Sequence, residues 1–167
     1  NFVGALGGTA VTSDTTGTEG TAAGKNNVVA KSMEITGDIR TISPEQLATA
    51  RQAMRQIVAD HLPHTTAEIT FFDGYPPMAP TAGNRKLLAM YDQASQDLGL
   101  GPVVAVDPSR AGAADVSFVA NIVGMAIDGV GLSGHDDHTD KETADLRKLP
   151  SQTARAALLL YRLSNPR

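Results

Sequence analysis

The chain has 167 residues, of which 41% are hydrophobic and 19% charged, with 14 basic against 18 acidic side chains and a net charge of -4. Such numbers describe a globular chain of one or two small domains, and the scattered Lys and Arg form no basic stripe that would neutralise nucleic-acid phosphates. The longest apolar run, Ala156–Tyr161, is far short of the roughly 20 residues of a membrane-spanning helix. With 4 Phe, 3 Tyr and no Trp, the core is expected to be aliphatic. The absence of Cys excludes disulfides and thiolate metal sites, so any metal must be held by His, Asp or Glu. It leaves the compartment open between cytoplasm and a periplasmic or secreted setting, and leans to the latter. The start at Asn1, without Met or an apolar leader, is expected of a chain whose leader is removed or absent, or of a piece of a longer protein.

In chain order, a short start is followed by Thr9–Asn27, rich in Thr, Gly, Ala and Ser, which reads as a long mobile connection. A strand is expected from Val29 to about Arg40, with Val29, Met33, Ile35 and Ile39 on one face and only Lys31 interrupting it. Ser43-Pro44-Glu45-Gln46 is a helix start: Ser caps, Pro suits the first turn, and Gln46 reaches back. The helix runs to about His61, and its stripe of Leu47, Ala50, Met54, Ile57 and Val58 should pack on the preceding strand. His61 and His64 are read as residues near the negative end of that helix. Thr65–Phe72 alternates Ala67, Ile69 and Phe71 inward as a second strand. It ends in the turn Asp73–Pro77.

The rhythm restarts beyond Pro80. Asn84–Leu98 is helical by spacing and stops at Gly99. Val103–Val106 reads as a short strand buried on both faces, Ala113–Val123 as a helix, and Gly124–Asp128 as another strand. A final amphipathic helix covers about Gln152–Leu163. The whole is an α/β chain, with a small two-layer α+β part before an α/β sheet.

Between the last strand and helix lies Gly131–Leu146, "GLSGHDDHTDKETADL", which gathers His135 and His138 among Asp136, Asp137, Asp140, Glu142 and Asp145. Imidazole with carboxylates suits zinc, manganese or cobalt, and a place after a strand end favours function. A solvated acidic loop has the same composition, so both readings stand. A calcium loop ranks below both readings, since the Gly that an EF-hand turn needs at its sixth position is missing.

Four motifs carry a family resemblance: "NNVVAKSMEITGDIR" (26–40), "SRAGAADVSFVA" (109–120), "IDGVGLSGHDDHT" (127–139) followed by Glu142, and "LPSQTARAALLLYRL" (149–163). In this order they resemble the C-terminal half of the two-zinc metallopeptidases that include glutamate carboxypeptidase, aminoacylase and succinyl-diaminopimelate desuccinylase. The resemblance implies that residues 1–80 are the later part of a ferredoxin-like lid and dimerisation domain, and 81–167 the C-terminal part of the catalytic domain. It implies zinc, two per complete site, with His138 as the one ligand on this chain and His135 outside the ligand set. Arg110, Gly112 and Asp115 fall in the loop that holds the substrate carboxylate, although Gly112-Ala113-Ala114-Asp115 stands where the family has more Gly and a Ser or Thr. The expected substrate is a peptide or N-acyl amino acid, cut at an amide next to a free carboxylate, and the expected partner is a second copy through the lid. The catalytic general base and the remaining ligands have no counterpart here, which makes the chain alone inactive by this reading. The rival reading is a non-catalytic dimerisation or interaction module whose acidic loop only keeps the surface solvated.

Overall fold

The computed structural model describes residues 2–110 and 112–165. Asn1, Ala111, Pro166 and Arg167 lie outside them, including the first residue of the expected lid, one position of the 109–120 motif and the end of the second expected domain. The described residues form a mixed α/β chain with three helices and three separate two-stranded antiparallel sheets. No helix among them is long and apolar enough to cross a membrane.

Strands β1 (Phe2–Gly8) and β2 (Ala10–Ser13) are separated by Thr9 alone. β1 pairs with β4 (Ser32–Gly37), setting Ala5 opposite Ile35 and Gly7 opposite Met33, with an irregularity between Phe2 and Gly4. β2 pairs with β3 (Gly20–Ala23), setting Val11 opposite Ala22 and Ser13 opposite Gly20. The expected mobile connection over 9–27 is thus a β-hairpin. Its turn is built by Asp14, whose carboxylate accepts from the N–H groups of Thr18 at 2.8 Å and Glu19 at 3.0 Å and from the Thr16 hydroxyl. Those bonds, the Thr16 hydroxyl first, hold the Asp14 carboxyl far below the usual carboxylate range. Cross-strand Thr12 and Thr21 join their hydroxyls at 2.8 Å.

The hairpin folds over one face of the β1–β4 pair. Ser13 Oγ donates to Glu34 Oε2 at 2.7 Å, and a Cβ on Gly20 would lie 2.4 Å from Leu6 Cδ1. The Thr12 carbonyl oxygen, 2.7 Å from the same Cβ position, is backbone that cannot yield, so Gly suits this place. The covered face therefore carries Leu6, Glu34 and Thr36, while Val3, Met33 and Ile35 are exposed on the other. This reverses the expected orientation of the strand. It is also shorter than expected, for Val29 and Ile39 lie outside it and Val29 is 90% exposed.

Helix α1 (Pro44–Ala59) begins as its cap predicts: Gln46 N–H donates to Ser43 Oγ at 3.2 Å, and the Gln46 amide oxygen accepts from Ile42 N–H at 2.8 Å. Among the described residues no other helix or strand packs against it and it has no buried residue, so the expected docking on the preceding strand does not occur. Its contact is with the segment that follows, where the Arg51 and Arg55 guanidinium carbons lie 5.2 and 4.9 Å from the centre of the Phe71 ring. Arg51 also pairs with Asp73 at 2.7 Å. Residues 65–72 form no strand, because a strand needs a hydrogen-bonded neighbour and none is supplied.

Helices α2 (Ala82–Asp97) and α3 (Leu149–Ser164) pack on each other. Tyr91, Ala94 and Ser95 of α2 and Leu159 of α3 are buried, and Ala126 is the other buried apolar side chain among the described residues. Ser95 satisfies its hydroxyl on the Gly101 carbonyl at 2.6 Å. Arg162 pairs with Asp97 across the helix ends. The N-terminus of α2 also seats residues 124–126: Asn84 Oδ1 accepts from Ala126 N–H at 2.9 Å, and a Cβ on Gly83 would sit 2.0 Å from the Gly124 carbonyl oxygen.

The expected strands at Val103–Val106 and Gly124–Asp128 and the expected helix at Ala113–Val123 are not formed. Val104 and Val106 are exposed, and residues 113–123 hold one 3-10 turn, Asp115–Phe118, followed by turns. No parallel sheet exists among the described residues, so placement at a strand's carboxyl end no longer supports the acidic segment. Leu159, 7% exposed, is the buried side chain of α3, the helix that packs on α2. Leu159→Ala is expected to destabilise this helix pair by about 2–4 kcal/mol, read as a lower urea midpoint in far-ultraviolet circular dichroism.

Candidate functional site

The acidic segment is a hairpin. Gly134 and His135 form β5 and Thr143 and Ala144 form β6, with Gly134 opposite Ala144 and His135 opposite Thr143. A Cβ at Gly134 would meet the Thr143 carbonyl oxygen at 2.1 Å, so Gly lets the strands close. Between them Asp136 and His138 adopt φ of 58° and 66°, the left-handed region that Asp tolerates better than most residues. Thr139 closes the turn by donating its hydroxyl to the Asp136 carbonyl at 2.7 Å and accepting from Lys141 N–H at 3.1 Å. His138 N–H points to Glu142 Oε2 at 3.4 Å, and the imidazole stays in solvent.

The hairpin is tied to α3 at its base. Ser133 N–H donates to Gln152 Oε1 at 3.3 Å, and Gln152 Nε2 donates to Ser133 Oγ at 2.9 Å. Asp145 N–H donates to the Ser133 carbonyl at 2.8 Å. The Asp145 carboxylate accepts from Arg147 Nε at 2.8 Å, which is the first cause of its lowered pKa, and the charge of nearby His135 adds to it. His135 thus lies on the paired strand β5 and His138 in the turn beyond it.

The other predicted residues lie on one irregular segment. Arg110 ends the 3-10 turn Pro108–Arg110 and is exposed, its N–H bonded to the Asp107 carbonyl at 2.8 Å. Gly112 is exposed, and a Cβ there would meet nothing. Asp115 accepts the Tyr75 hydroxyl at 2.9 Å, and the Tyr75 ring lies 5.0 Å from that of Phe118 at 52°. Tyr75 is the residue that sequence reasoning missed. It belongs to the Asp73–Pro77 segment, where Gly and Pro suggested only a turn, and no local pattern links it to a residue 40 positions away.

Among the described residues no hydrogen bond or ion pair joins Arg110, Gly112 or Asp115 to His138, and no group of three or more His, Asp or Glu side chains converges as a metal site. Two shallow surface depressions lie against the β2–β3 hairpin, and none of the four residues lines either of them.

The Asp115 carboxylate raises the Tyr75 pKa, first by accepting its hydrogen bond and then by its charge. A phenol raised in the folded state contributes stability that is present below its unfolded pKa of about 10 and is lost as pH rises through the raised value. Ultraviolet titration of phenolate should show Tyr75 ionising above the ordinary range, with Asp115→Asn moving it back down. A titration unchanged by that substitution contradicts the contact. No family model, curated protein or solved structure matches the chain.

Proposed function

We propose that the chain is the C-terminal portion of a zinc-dependent peptidase or amidohydrolase of the glutamate carboxypeptidase kind, hydrolysing an amide next to a free carboxylate. One observation carries the reading: His138 is held at the tip of a short hairpin, solvent-facing, with Glu142 three positions after Thr139 turned back to its N–H. That places a single imidazole where an ion shared with other parts of a larger site can reach it, and it coincides with the His-Thr-x-x-Glu motif of the resemblance. Arg110, Gly112, Ala113 and Asp115 are exposed, and the Arg110 guanidinium is a group that can pair with a carboxylate.

The residues present do not by themselves fit zinc. A hydrolytic zinc takes three protein ligands and an open position, and paired ions need a bridging carboxylate. His138 supplies one ligand, so no catalytic step follows from this chain alone. By this reading residues 1–80 belong to a lid and dimer unit and 81–167 to the catalytic part. The partner is a second copy, and the substrate is a peptide or N-acyl amino acid.

Zinc titration followed on the histidine Cε1–H resonances is the direct test. His138 should shift at millimolar zinc while His61, His64 and His135 move less, and His138→Ala should remove the response. Equal shifts at His135 contradict the assignment. In the complete protein His138→Ala is expected to lower kcat by several powers of ten and His135→Ala by less than about tenfold. The chain alone is expected to leave N-acyl amino acids intact with or without zinc. Chelator-sensitive turnover by it contradicts the proposal.

A further inference from the structure

The contact between Tyr75 and Asp115 gathers more than one hydrogen bond. Asp115 opens the 3-10 turn Asp115–Phe118 and Phe118 closes it, and side chains three positions apart in such a turn stand over one another on the same side. Ser117 anchors the turn, being 6% exposed and donating its N–H to the Ala114 carbonyl at 3.0 Å. Asp115 and Phe118 are left in solvent. Tyr75 arrives from 40 positions earlier, with its hydroxyl on Asp115 Oδ1 at 2.9 Å and its ring 5.0 Å from that of Phe118 at 52°. A carboxylate thus lies beside two tilted aromatic rings. Rings that only joined two segments would cover each other, whereas Tyr75 is 51% and Phe118 56% exposed. Among the described residues Asp115 makes no ion pair, and its Oδ2 has no hydrogen-bond partner.

We infer that Tyr75, Asp115 and Phe118 form a surface site for a guanidinium ion, carried by free arginine or by an arginyl side chain of a peptide. The chain uses the same chemistry internally. Arg51 lies 5.2 Å from the centre of the Phe71 ring and pairs with Asp73 at 2.7 Å, so that a ring and a carboxylate together hold one guanidinium. Tyr75, Phe118 and Asp115 offer those two kinds of group to a cation from outside. Asp115 Oδ2 then decides among cations. A quaternary ammonium has no N–H to give it, and a primary ammonium is more strongly hydrated than a guanidinium and gives up more on leaving water. A guanidinium lays its plane on a ring and donates from its edge to the carboxylate.

The site is independent of the hydrolase reading and needs no zinc. Arg110 suits a carboxylate and Asp115 a cation, so the two exposed charges of this segment have different uses. The net charge of -4 attracts every cation alike. Preference for a guanidinium over other cations is therefore the mark of the site itself.

The test uses the full 167-residue chain and methylguanidinium as the probe, at constant ionic strength, read on the aromatic ring resonances. Those of Tyr75 and Phe118 should shift saturably in the millimolar range. Tyr161, 67% exposed and with no carboxylate bonded to its hydroxyl among the described residues, should not respond. Uncharged urea should leave all of these rings unchanged, and tetramethylammonium should bind at least about fivefold more weakly than methylguanidinium. Asp115→Asn keeps an oxygen for the Tyr75 hydroxyl and should weaken binding about fivefold, and Phe118→Leu about threefold, with helical circular dichroism unchanged in both. Free arginine and a blocked Ala-Arg-Ala peptide separate the two sources. Tighter binding of the peptide assigns the site to arginyl side chains, and tighter binding of arginine assigns it to the free amino acid. Failure of both to bind overturns the inference. So does an equal shift at Tyr161, binding indifferent to Asp115→Asn and Phe118→Leu, or methylguanidinium matched by tetramethylammonium.

Discussion

The packing of α3 on α2 is the contact on which the candidate site depends. Ser95 and Ala94 of α2 are fully buried, and the Ser95 bond to Gly101 keeps a buried polar group from being left without a partner. From this base Gln152 of α3 holds Ser133 by two hydrogen bonds, and Ser133 fixes the strand ends that present His138. The path from buried helix contact to exposed imidazole is short. It runs through side chains that are individually modest, so the position of His138 is only as firm as the helix pair beneath it.

The rest of the chain is governed by what it leaves uncovered. Tyr91, Ala94, Ala126 and Leu159 are the buried apolar side chains among the described residues, while Met33, Ile35, Ile57, Phe72, Val104 and Val106 are exposed. Each exposed apolar group forgoes the roughly 25 cal/mol per Å² that burial supplies. The hairpin shows how the available contacts were settled: it covers the face bearing Leu6 and Glu34, where Gly20 allows close approach, and leaves Val3, Met33 and Ile35 to solvent. α1 keeps its helical form through its cap at Ser43 and Gln46 although no element among the described residues packs on it.

Three of the four expected helices form, because their determinants are local, while the one expected at Ala113–Val123 is reduced to a 3-10 turn. Ser43-Pro44 before α1, the spacing of Leu87, Leu88, Tyr91 and Ala94 in α2, and the run beginning near Gln152 in α3 each place a helix within a few residues of where it lies. Of the expected strands only the one over 29–40 forms, shortened to β4, because a strand exists only with a neighbour. Ile69 and Phe71 alternate correctly and still form no ladder, whereas the Thr- and Gly-rich stretch 10–23 pairs through Thr12 with Thr21 despite carrying almost no apolar signal. Within the candidate site, the clustering of His135 and His138 with carboxylates was visible, but their separation to the paired strand and the turn of a hairpin was not. That separation follows from the left-handed turn at Asp136 and His138. The Tyr75–Asp115 contact was invisible for the same reason as the strands, being non-local.

Amide hydrogen exchange on the isolated chain, at a concentration low enough to keep it monomeric, tests most directly the claim that one helix pair carries the structure and the candidate site with it. The account predicts slow exchange in the α2 and α3 segments, with Leu159→Ala accelerating both and also the 133–145 hairpin, while α1 exchanges nearly as an isolated helix would. Protection of α1 equal to that of α2 and α3, or a hairpin indifferent to Leu159→Ala, would contradict it.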